Sequence, residues 1–244
     1  MSEHARSASA SRSDFWDLDG KRAVLHTGRL RGMVDLTQPL RGLTALLVDG
    51  NAQPGWLMGV DVASAETRGV SKDQPWDIAD VYIRGRDLVV TYREPLEQPF
   101  NLQLYWRAVE ALGGLPALDL ICSVQTPLWE AHPMVTVESS VFDNCIYSNC
   151  NNSAKDFSFD LMVAKHPVLG AYLETSRQGD FSAPSGVTKS LAAYKHWQFG
   201  PQFMEKGVIR RLQLRGVFLS DSDIKLTAAK LAQELASEEP ALTA

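Results

Sequence analysis

Apolar and polar side chains alternate residue by residue along several segments of this 244-residue chain. In residues 101–107 the apolar positions are Leu102, Leu104 and Trp106. The polar positions between them are Gln103, Tyr105 and Arg107. Because successive side chains of a β-strand point to opposite faces, this period of two predicts a strand with one core face and one polar face. The same period recurs in residues 118–124, 134–138 and 211–218, so strands dominate the prediction.

The segments between these strands show few helical patterns, which favours antiparallel sheets packed face to face. Residues 81–92 form two β-rich arms around a polar centre that contains Gly85, and this pattern predicts a hairpin. Near the end, the Ser and Asp residues at 220–223 supply N-cap chemistry for apolar residues at helical spacing, so a helix is predicted over about residues 223–237. The predicted fold is a mainly β, large antiparallel β-sandwich with a C-terminal α-helix.

The chain is predicted to form one β-sandwich domain over residues 14–244, because all-β domains of this length often form one unit. Hydrophobic residues make up 45% of the chain, which is ample for a core. Residues 1–13 are rich in Ser, Ala and Arg and are predicted to be a disordered tail. Loops are predicted at residues 149–153, which are rich in Asn, and at residues 178–186, which contain Gly and Pro.

Charge and composition argue against several classes of function. A formal net charge of −5 disfavours a protein that binds nucleic acid through its phosphates. The sequence shows neither a secretory signal nor an apolar run long enough to cross a bilayer, so a cytoplasmic protein without membrane contact is predicted. Cys122, Cys145 and Cys150 are an odd number and lack a second Cys or His pair at zinc-site spacing. Free thiols are predicted, with no metal site and no cofactor.

Three segments share the layout of one known group of sandwich proteins. They are residues 18–25 (Leu-Asp-Gly-Lys-Arg-Ala-Val-Leu), 87–92 (Asp-Leu-Val-Val-Thr-Tyr) and 205–211 (Glu-Lys-Gly-Val-Ile-Arg-Arg). With the long-strand pattern, they resemble the galactose-mutarotase-like supersandwich proteins, a family of large antiparallel sandwiches that handle sugars. The resemblance is one of layout, without a catalytic motif, and covers most of residues 15–240. Epimerases of that family are usually longer than this chain.

The resemblance implies sugar chemistry by proton transfer, because the family's epimerases use a histidine as general acid and a carboxylate as general base. Residues 173–175 resemble the family's base-bearing stretch over three residues, which suggests Glu174 as the base. The Asn-His signature of the family's acid-bearing strand is absent. The candidate acids are His132 and His196, and Glu205 is the second candidate base.

The two histidines lie in different patterns. Residues 129–133 gather Trp, Glu and His beside a Pro, as in a loop between two strands, and loops carried by a rigid sheet often hold functional groups. In residues 194–199 strand alternation places His196 on a polar face that could line a cleft. The alternatives are that the Glu and His of the first segment are ordinary rim residues, and that His196 bonds neighbouring backbone.

The polar faces of two strands supply the candidate ligand-binding residues, which are Tyr105, Arg107, Arg211 and Arg215. Arginine offers forked donors that match carboxylate or paired hydroxyl groups, and aromatic rings stack on the apolar face of a sugar. Together these residues suit a glycan, including an acidic one. The alternative is that they are solvent-facing residues of an antiparallel sheet, joined by cross-strand contacts.

Three functions agree with these residues. The first is a carbohydrate-binding sandwich whose partner is a small-molecule sugar or glycan, with His132 or His196 at the rim of the polar face. The second is a sugar epimerase or mutarotase-like enzyme that uses a His/Glu pair. The third is an interaction or structural domain whose exposed aromatic side chains meet another chain. The oligomeric state is left open.

Overall fold

The structure is a computed structural model that describes residues 11–64, 75–93, 100–141, 144–152, 157–166, 170–182, 195–219 and 224–240. In chain order the strands within these ranges are β1 (Ser11–Arg12), β2 (Trp16–Asp19), β3 (Arg22–His26), β4 (Leu30–Asp35), β5 (Leu43–Val48), β6 (Asn51–Ala52), β7 (Trp56–Ser64), β8 (Ile78–Arg84), β9 (Asp87–Tyr92), β10 (Asn101–Ala111), β11 (Leu115–Gln125), β12 (Pro133–Ser140), β13 (Asn144–Asn152), β14 (Phe157–His166), β15 (Gly170–Ser176), β16 (Lys195–Phe199) and β17 (Ile209–Leu219). The α-helix is α1 (Ile224–Ser237), and short 3-10 turns lie at Pro39–Arg41 and Leu112–Gly114.

These strands form two antiparallel sheets. Within the described residues the first sheet has nine strands, in the order β1-β2-β3-β4-β5-β7-β12-β16 with β6 paired to β5. The second has eight, in the order β13-β14-β15-β17-β11-β10-β9-β8. The hairpin expected over residues 81–92 is the β8–β9 pair. The predicted mainly β antiparallel sandwich with a C-terminal helix is therefore confirmed.

The core lies between the sheets and follows the predicted alternation of side chains. On β10, Leu102, Leu104 and Trp106 are each exposed by 1% or less. On β12 of the other sheet, Val135 and Val137 are fully buried and join the same cluster. Burying one large apolar side chain contributes about 1.5–3 kcal/mol. The packing of these inner faces is thus the main force that holds the two sheets together.

The outer face of the second sheet is covered at one end by α1. Three adjacent strands contribute apolar side chains to this contact: Leu161, Val163, Leu173, Val217 and Leu219. The helix contributes Ala228, Leu231 and Ala232. Apolar residues three and four positions apart lie on one face of a helix, which explains why this short element packs flat on the sheet. The predicted helix is confirmed over the described residues Ile224–Ser237.

The prediction of a loop at residues 149–153 is wrong as far as the structure describes that segment. Residues up to Asn152 belong to β13, which pairs with β14 along its whole length. Asparagine is uncommon in strands, but strand propensity is a weak preference that pairing with a neighbouring strand overrides. The loop expected at residues 178–186 is described as far as Ser182, where a turn is followed by one isolated bridge to Gln198.

The start of the chain contributes a short strand. Residues 1–10 of the predicted tail lie outside the described residues, and Ser11–Arg12 pair with β2. Across the described ranges, no helix is long and apolar enough to span a membrane.

The thiol of Cys122 is free and buried in the core. Burial raises the pKa of this thiol far above its ordinary value, because the thiolate loses its hydration. Cys145 and Cys150 lie on β13, where the side chains are outside the described part of the structure, so their free state stays a prediction.

Candidate functional site

Two segments meet at the end of the sandwich where β11 stops and β17 begins. Residues 126–132 follow β11, and residues 200–208 lead into β17. Ala131 and Met204 exchange two backbone hydrogen bonds, with N···O distances of 3.1 and 2.8 Å. The predicted functional loop at residues 129–133 is therefore held beside a segment that is distant in sequence.

This pairing turns four polar or aromatic side chains outward. Ala131 and Met204 are only 7% and 1% exposed, so they point into the protein. Because side chains alternate along extended segments, their neighbours point away from it. These neighbours are Glu130, His132, Phe203 and Glu205. The His132 and Phe203 rings are in contact range, with centroids 5.9 Å apart.

Trp129 stands at the edge of this arrangement with 81% of its surface exposed. The ammonium nitrogen of Lys206 lies 5.2 Å from the centre of its indole ring, which is a cation–π contact. Most of the indole surface nevertheless faces solvent. Tryptophan is a large apolar group that usually lies inside a protein or at an interface, so an exposed ring of this kind suggests recognition.

Exposed apolar side chains are concentrated in these two segments. Eight large hydrophobic side chains are exposed in the described part of the chain, and five of them come from these two segments and the first residue of β17. The five are Leu128, Trp129, Phe203, Val208 and Ile209. Exposed apolar residues that are grouped in this way suggest a binding site more than residues scattered singly over a surface do. We call the surface formed by residues 128–132 and 203–209 the end platform.

The end platform brings together His132 and Glu205, two of the four predicted catalytic residues. The antiparallel bridge between Ala131 and Met204 makes His132 and Glu205 diagonal neighbours on the same side of the pair. Diagonal neighbours across such a pair lie about 7–8 Å apart. An imidazole and a carboxylate at that separation can both reach one bound group.

The other candidate acid, His196, lies on β16 in the first sheet. Its register partner on β12 is Glu138, and both side chains are half-buried on the outer face. The next residue, Trp197, is fully buried, so the predicted alternation is confirmed.

A metal site needs about three ligands, and no His, Cys, Asp and Glu side chains form such a group where the structure is described.

Glu174, the remaining candidate base, lies on β15 and is fully buried between the sheets. Its Oε1 accepts hydrogen bonds from the hydroxyls of Ser139 and Tyr172, the latter at 2.9 Å. Its Oε2 accepts one from the indole N–H of Trp197 at 2.9 Å. Loss of water raises the pKa of Glu174, and the three donors oppose this only in part. We call Glu174 and these three donors the buried network.

The four predicted ligand-binding residues lie on one face of the second sheet, on the two strands that flank β11. The register pairs Arg107 with Asp119 and Asp119 with Arg215. The expected face is present, but its residues are less accessible than the sequence suggests. Tyr105 is 0% and Arg215 1% exposed, while Arg107 and Arg211 are half-buried.

Partners within the protein occupy part of this face. Arg107 donates from Nε and Nη2 to the Asp87 carboxylate at 2.6 and 2.9 Å, and this bond raises the pKa of Arg107. The Tyr105 hydroxyl donates to the side-chain carbonyl of Gln103. Since these donors are already used, a ligand role for Tyr105 and Arg107 stays a prediction.

Phe203 and Lys206 belong to the end platform, but the strand and helix patterns in the sequence did not identify them as site residues. One signal does exist, because residues 200–207 begin with Gly-Pro, end with Gly and carry a phenylalanine. Gly and Pro punctuate loops, so an aromatic residue enclosed by them is a candidate for exposure. The donors around Glu174 have no such local signal, because they come from three different strands.

Comparisons with known proteins assign no family. No family model matches the chain, and no curated protein matches it. One solved structure, named as a kojibiose phosphorylase from the human microbiome, aligns with 86% of this chain and 28% of its own length, at 7% sequence identity and a TM-score of 0.47. This chain thus spans less than a third of that protein. A likeness at this level does not assign a function, and membership of the galactose-mutarotase-like family stays a prediction.

Proposed function

We propose that the protein binds a carbohydrate at the end platform. The observation that carries this proposal is the 81% exposed indole of Trp129, which lies in the same two paired segments as the exposed residues Glu130 and Glu205. One face of a sugar ring is lined by C–H groups and stacks on an aromatic ring, while its hydroxyls seek hydrogen-bond acceptors around the rim. The end platform supplies both kinds of contact.

The charges of the end platform favour a neutral sugar. Glu130 and Glu205 are both exposed, and the one ammonium among these residues, on Lys206, lies over the Trp129 ring. Two carboxylates repel a uronate or a sugar phosphate, whereas they accept hydrogen bonds from uncharged hydroxyls. His132 adds a group that can donate or accept.

The diagonal placement of His132 and Glu205 supports a second candidate, an enzyme that exchanges the anomers of the bound sugar. In such a reaction one group protonates the ring oxygen while the other removes the anomeric hydroxyl proton. Both groups are on the open side of the end platform, unlike Glu174, which is enclosed. Proton transfer therefore centres on His132 and Glu205 in this candidate.

Ligand-observed saturation-transfer NMR with a panel of neutral sugars, sugar phosphates and uronates tests the proposal. We expect transfer to at least one neutral sugar, and an affinity at least about tenfold lower in Trp129→Ala, equivalent to roughly 1.4 kcal/mol. The matched control is Leu112→Ala. Leu112 is 42% exposed and lies beside the opposite end of β11. The same spectra report exchange between anomers, and faster exchange that is lost in His132→Ala and Glu205→Gln identifies the enzyme.

The aliphatic members of the end platform support a third candidate, a protein partner. Leu128, Val208 and Ile209 are 44%, 38% and 47% exposed, and branched side chains of this kind pack on proteins better than they stack on sugars. If no sugar in the panel shows saturation transfer, the carbohydrate proposal is wrong. A second copy of this chain is then the first partner to test, by measuring the mass of wild type and Trp129→Ala in solution.

A further inference from the structure

Arg215 presents two edges of its guanidinium to two different carboxylates. Its Nε and Nη2 donate to Asp119 at 2.7 and 2.8 Å, and this pair is enclosed, with the arginine 1% and the aspartate 0% exposed. Its Nη1 and Nη2 donate to Glu238 at 2.7 and 2.8 Å. The second edge is a planar fork of N–H groups that matches any carboxylate.

A second arginine, Arg177, lies beside Arg215. We call the site that these two arginines form around the Glu238 carboxylate the cradle. Arg177 donates from Nη2 to the backbone carbonyl of Glu238 and from Nε to the side-chain carbonyl of Gln213 at 3.1 Å. Gln213 also donates to Asp119 at 2.8 Å, so both arginines are held in place by residues of the sheet. The cradle is thus shaped mainly by β11, β17 and the turn after β15, and the backbone carbonyl of Glu238 adds one bond to Arg177.

Positive charge exceeds negative charge around the cradle. Asp87 lies near Arg84 and Arg107, Asp119 pairs with Arg215, and Asp180 interacts with Arg177 and Arg210. Five guanidinium groups therefore surround three aspartates besides Glu238. Glu238 also acts on Arg107, since its negative charge helps to raise the pKa of that guanidinium. A buried guanidinium without a second anion is costly, so this site attracts a carboxylate.

The carboxylate that fills the cradle is partly exposed, although its backbone is held. Glu238 follows the last residue of α1, and its side chain remains 38% exposed. Its backbone N–H donates to the carbonyl of Glu234, its own carbonyl accepts from Arg177, and Leu235 of the helix is fully buried. The Glu238 carboxylate can therefore leave the cradle by rotation of its side chain while α1 stays packed on the sheet.

We propose that the fork of Arg215, with Arg177, is a binding site for a small carboxylate-bearing ligand, and that Glu238 occupies it as a tethered competitor. The ligand enters as Glu238 swings out, and its carboxylate takes over the two bonds to Arg215. This site lies on the sheet face, six residues along β17 from the end platform, and it favours the acidic ligands that the end platform disfavours. The inference does not rest on the proposed neutral-sugar function.

Thermal unfolding and isothermal titration calorimetry with sodium glucuronate test the inference. The proteins compared are wild type, Glu238→Ala, and Glu239→Ala, which removes the neighbouring exposed glutamate from the same segment. Sodium chloride of equal ionic strength and glucose control for salt and for the sugar ring. We expect Glu238→Ala to melt at a lower temperature than wild type. We expect glucuronate to bind this variant saturably and to raise its melting temperature again, whereas chloride and glucose have no effect.

We expect wild type and Glu239→Ala to bind the same ligand at the same stoichiometry but at least about tenfold more weakly, because a tethered carboxylate competes at high effective concentration. Absence of binding to Glu238→Ala overturns the proposed site. If glucuronate binds Glu238→Ala but not wild type, the proposed displacement of Glu238 is wrong. Glu238 is then a permanent structural partner of Arg215.

Discussion

Trp197 and Trp129 each lie close to glutamate side chains, one pair between the two sheets and the other at the surface. In the buried network, Trp197 donates its indole N–H to Glu174, and both residues are 0% exposed. In the end platform, Trp129 is 81% exposed, and Glu130, which follows it in sequence, and Glu205 are exposed as well. The same two residue types thus occur in opposite surroundings.

The difference shows what decides whether a carboxylate is available for function. Glu174 has both oxygens occupied by donors that come from three strands of the two sheets, so its hydrogen bonds fix how the sheets sit on each other. The carboxylates of Glu130 and Glu205 are exposed and can therefore reach a ligand. Residue type alone does not separate these cases, whereas the number of donors already in place does.

The largest effect is expected from Glu174→Ala. The substitution leaves the hydroxyls of Ser139 and Tyr172 and the indole N–H of Trp197 without their acceptor inside the core. Each buried donor left unsatisfied costs about 1–3 kcal/mol, and we expect a loss of roughly 3–5 kcal/mol in the free energy of unfolding. Urea denaturation followed by tryptophan fluorescence measures it.

The surface counterpart, Glu130→Ala, is the matched control and is expected to change the free energy of unfolding by no more than about 0.5 kcal/mol. If the two variants lose similar stability, the contrast between the buried network and the end platform is wrong.

A smaller loss is expected from Gly216→Ala. Gly216 lies opposite Glu174 in the β15–β17 register, and a Cβ at this position is 2.2 Å from the hydroxyl oxygen of Tyr172. The hydroxyl must shift, which disturbs its bond to Glu174, and overpacking of this kind costs about 1–3 kcal/mol. Gly28→Ala is the control, since no atom lies within 4 Å of its added Cβ. Equal stability of the two variants in urea denaturation argues against a tightly packed buried network.

The charge of Glu174 predicts a pH dependence. Its pKa is raised in the folded protein, chiefly by burial, so folding favours the protonated form. Stability from such a group is present below its unfolded pKa and is lost as the pH rises through the folded pKa. We expect the free energy of unfolding of wild type, relative to Glu174→Gln, to fall as the pH rises above the ordinary glutamate value of 4.5. A relative free energy that increases with pH shows instead that the three donors outweigh burial.

Local patterns predicted the strands and their faces because side-chain alternation depends only on neighbouring residues. Leu104 and Trp106 point into the core and Arg107 to the opposite face, as expected, and α1 ends at the predicted residue. Alternation does not show what covers a face. Arg215 was expected on an open polar face, but Glu238, which follows it by more than twenty residues, closes over it.

The candidate site was predictable only in part, for the same physical reason. The Trp, Glu and His of residues 129–133 are close in sequence and could be recognised together. Glu205 was singled out separately, and its position beside His132 depends on the pairing of Ala131 with Met204. Contacts between distant segments follow from the whole fold, so no local pattern reports them.

The smallest effect on stability is expected from Trp129→Ala, although it removes the largest side chain of the end platform. Its ring is 81% exposed and has one described ring contact, with Lys206, and an exposed cation–π contact contributes about 0.5–1 kcal/mol. We expect the free energy of unfolding in urea to change by no more than this amount, while the affinity for the sugar falls at least about tenfold. A loss of several kcal/mol means that Trp129 packs against the protein in solution. The end platform then resembles the buried network, and the comparison between them no longer holds.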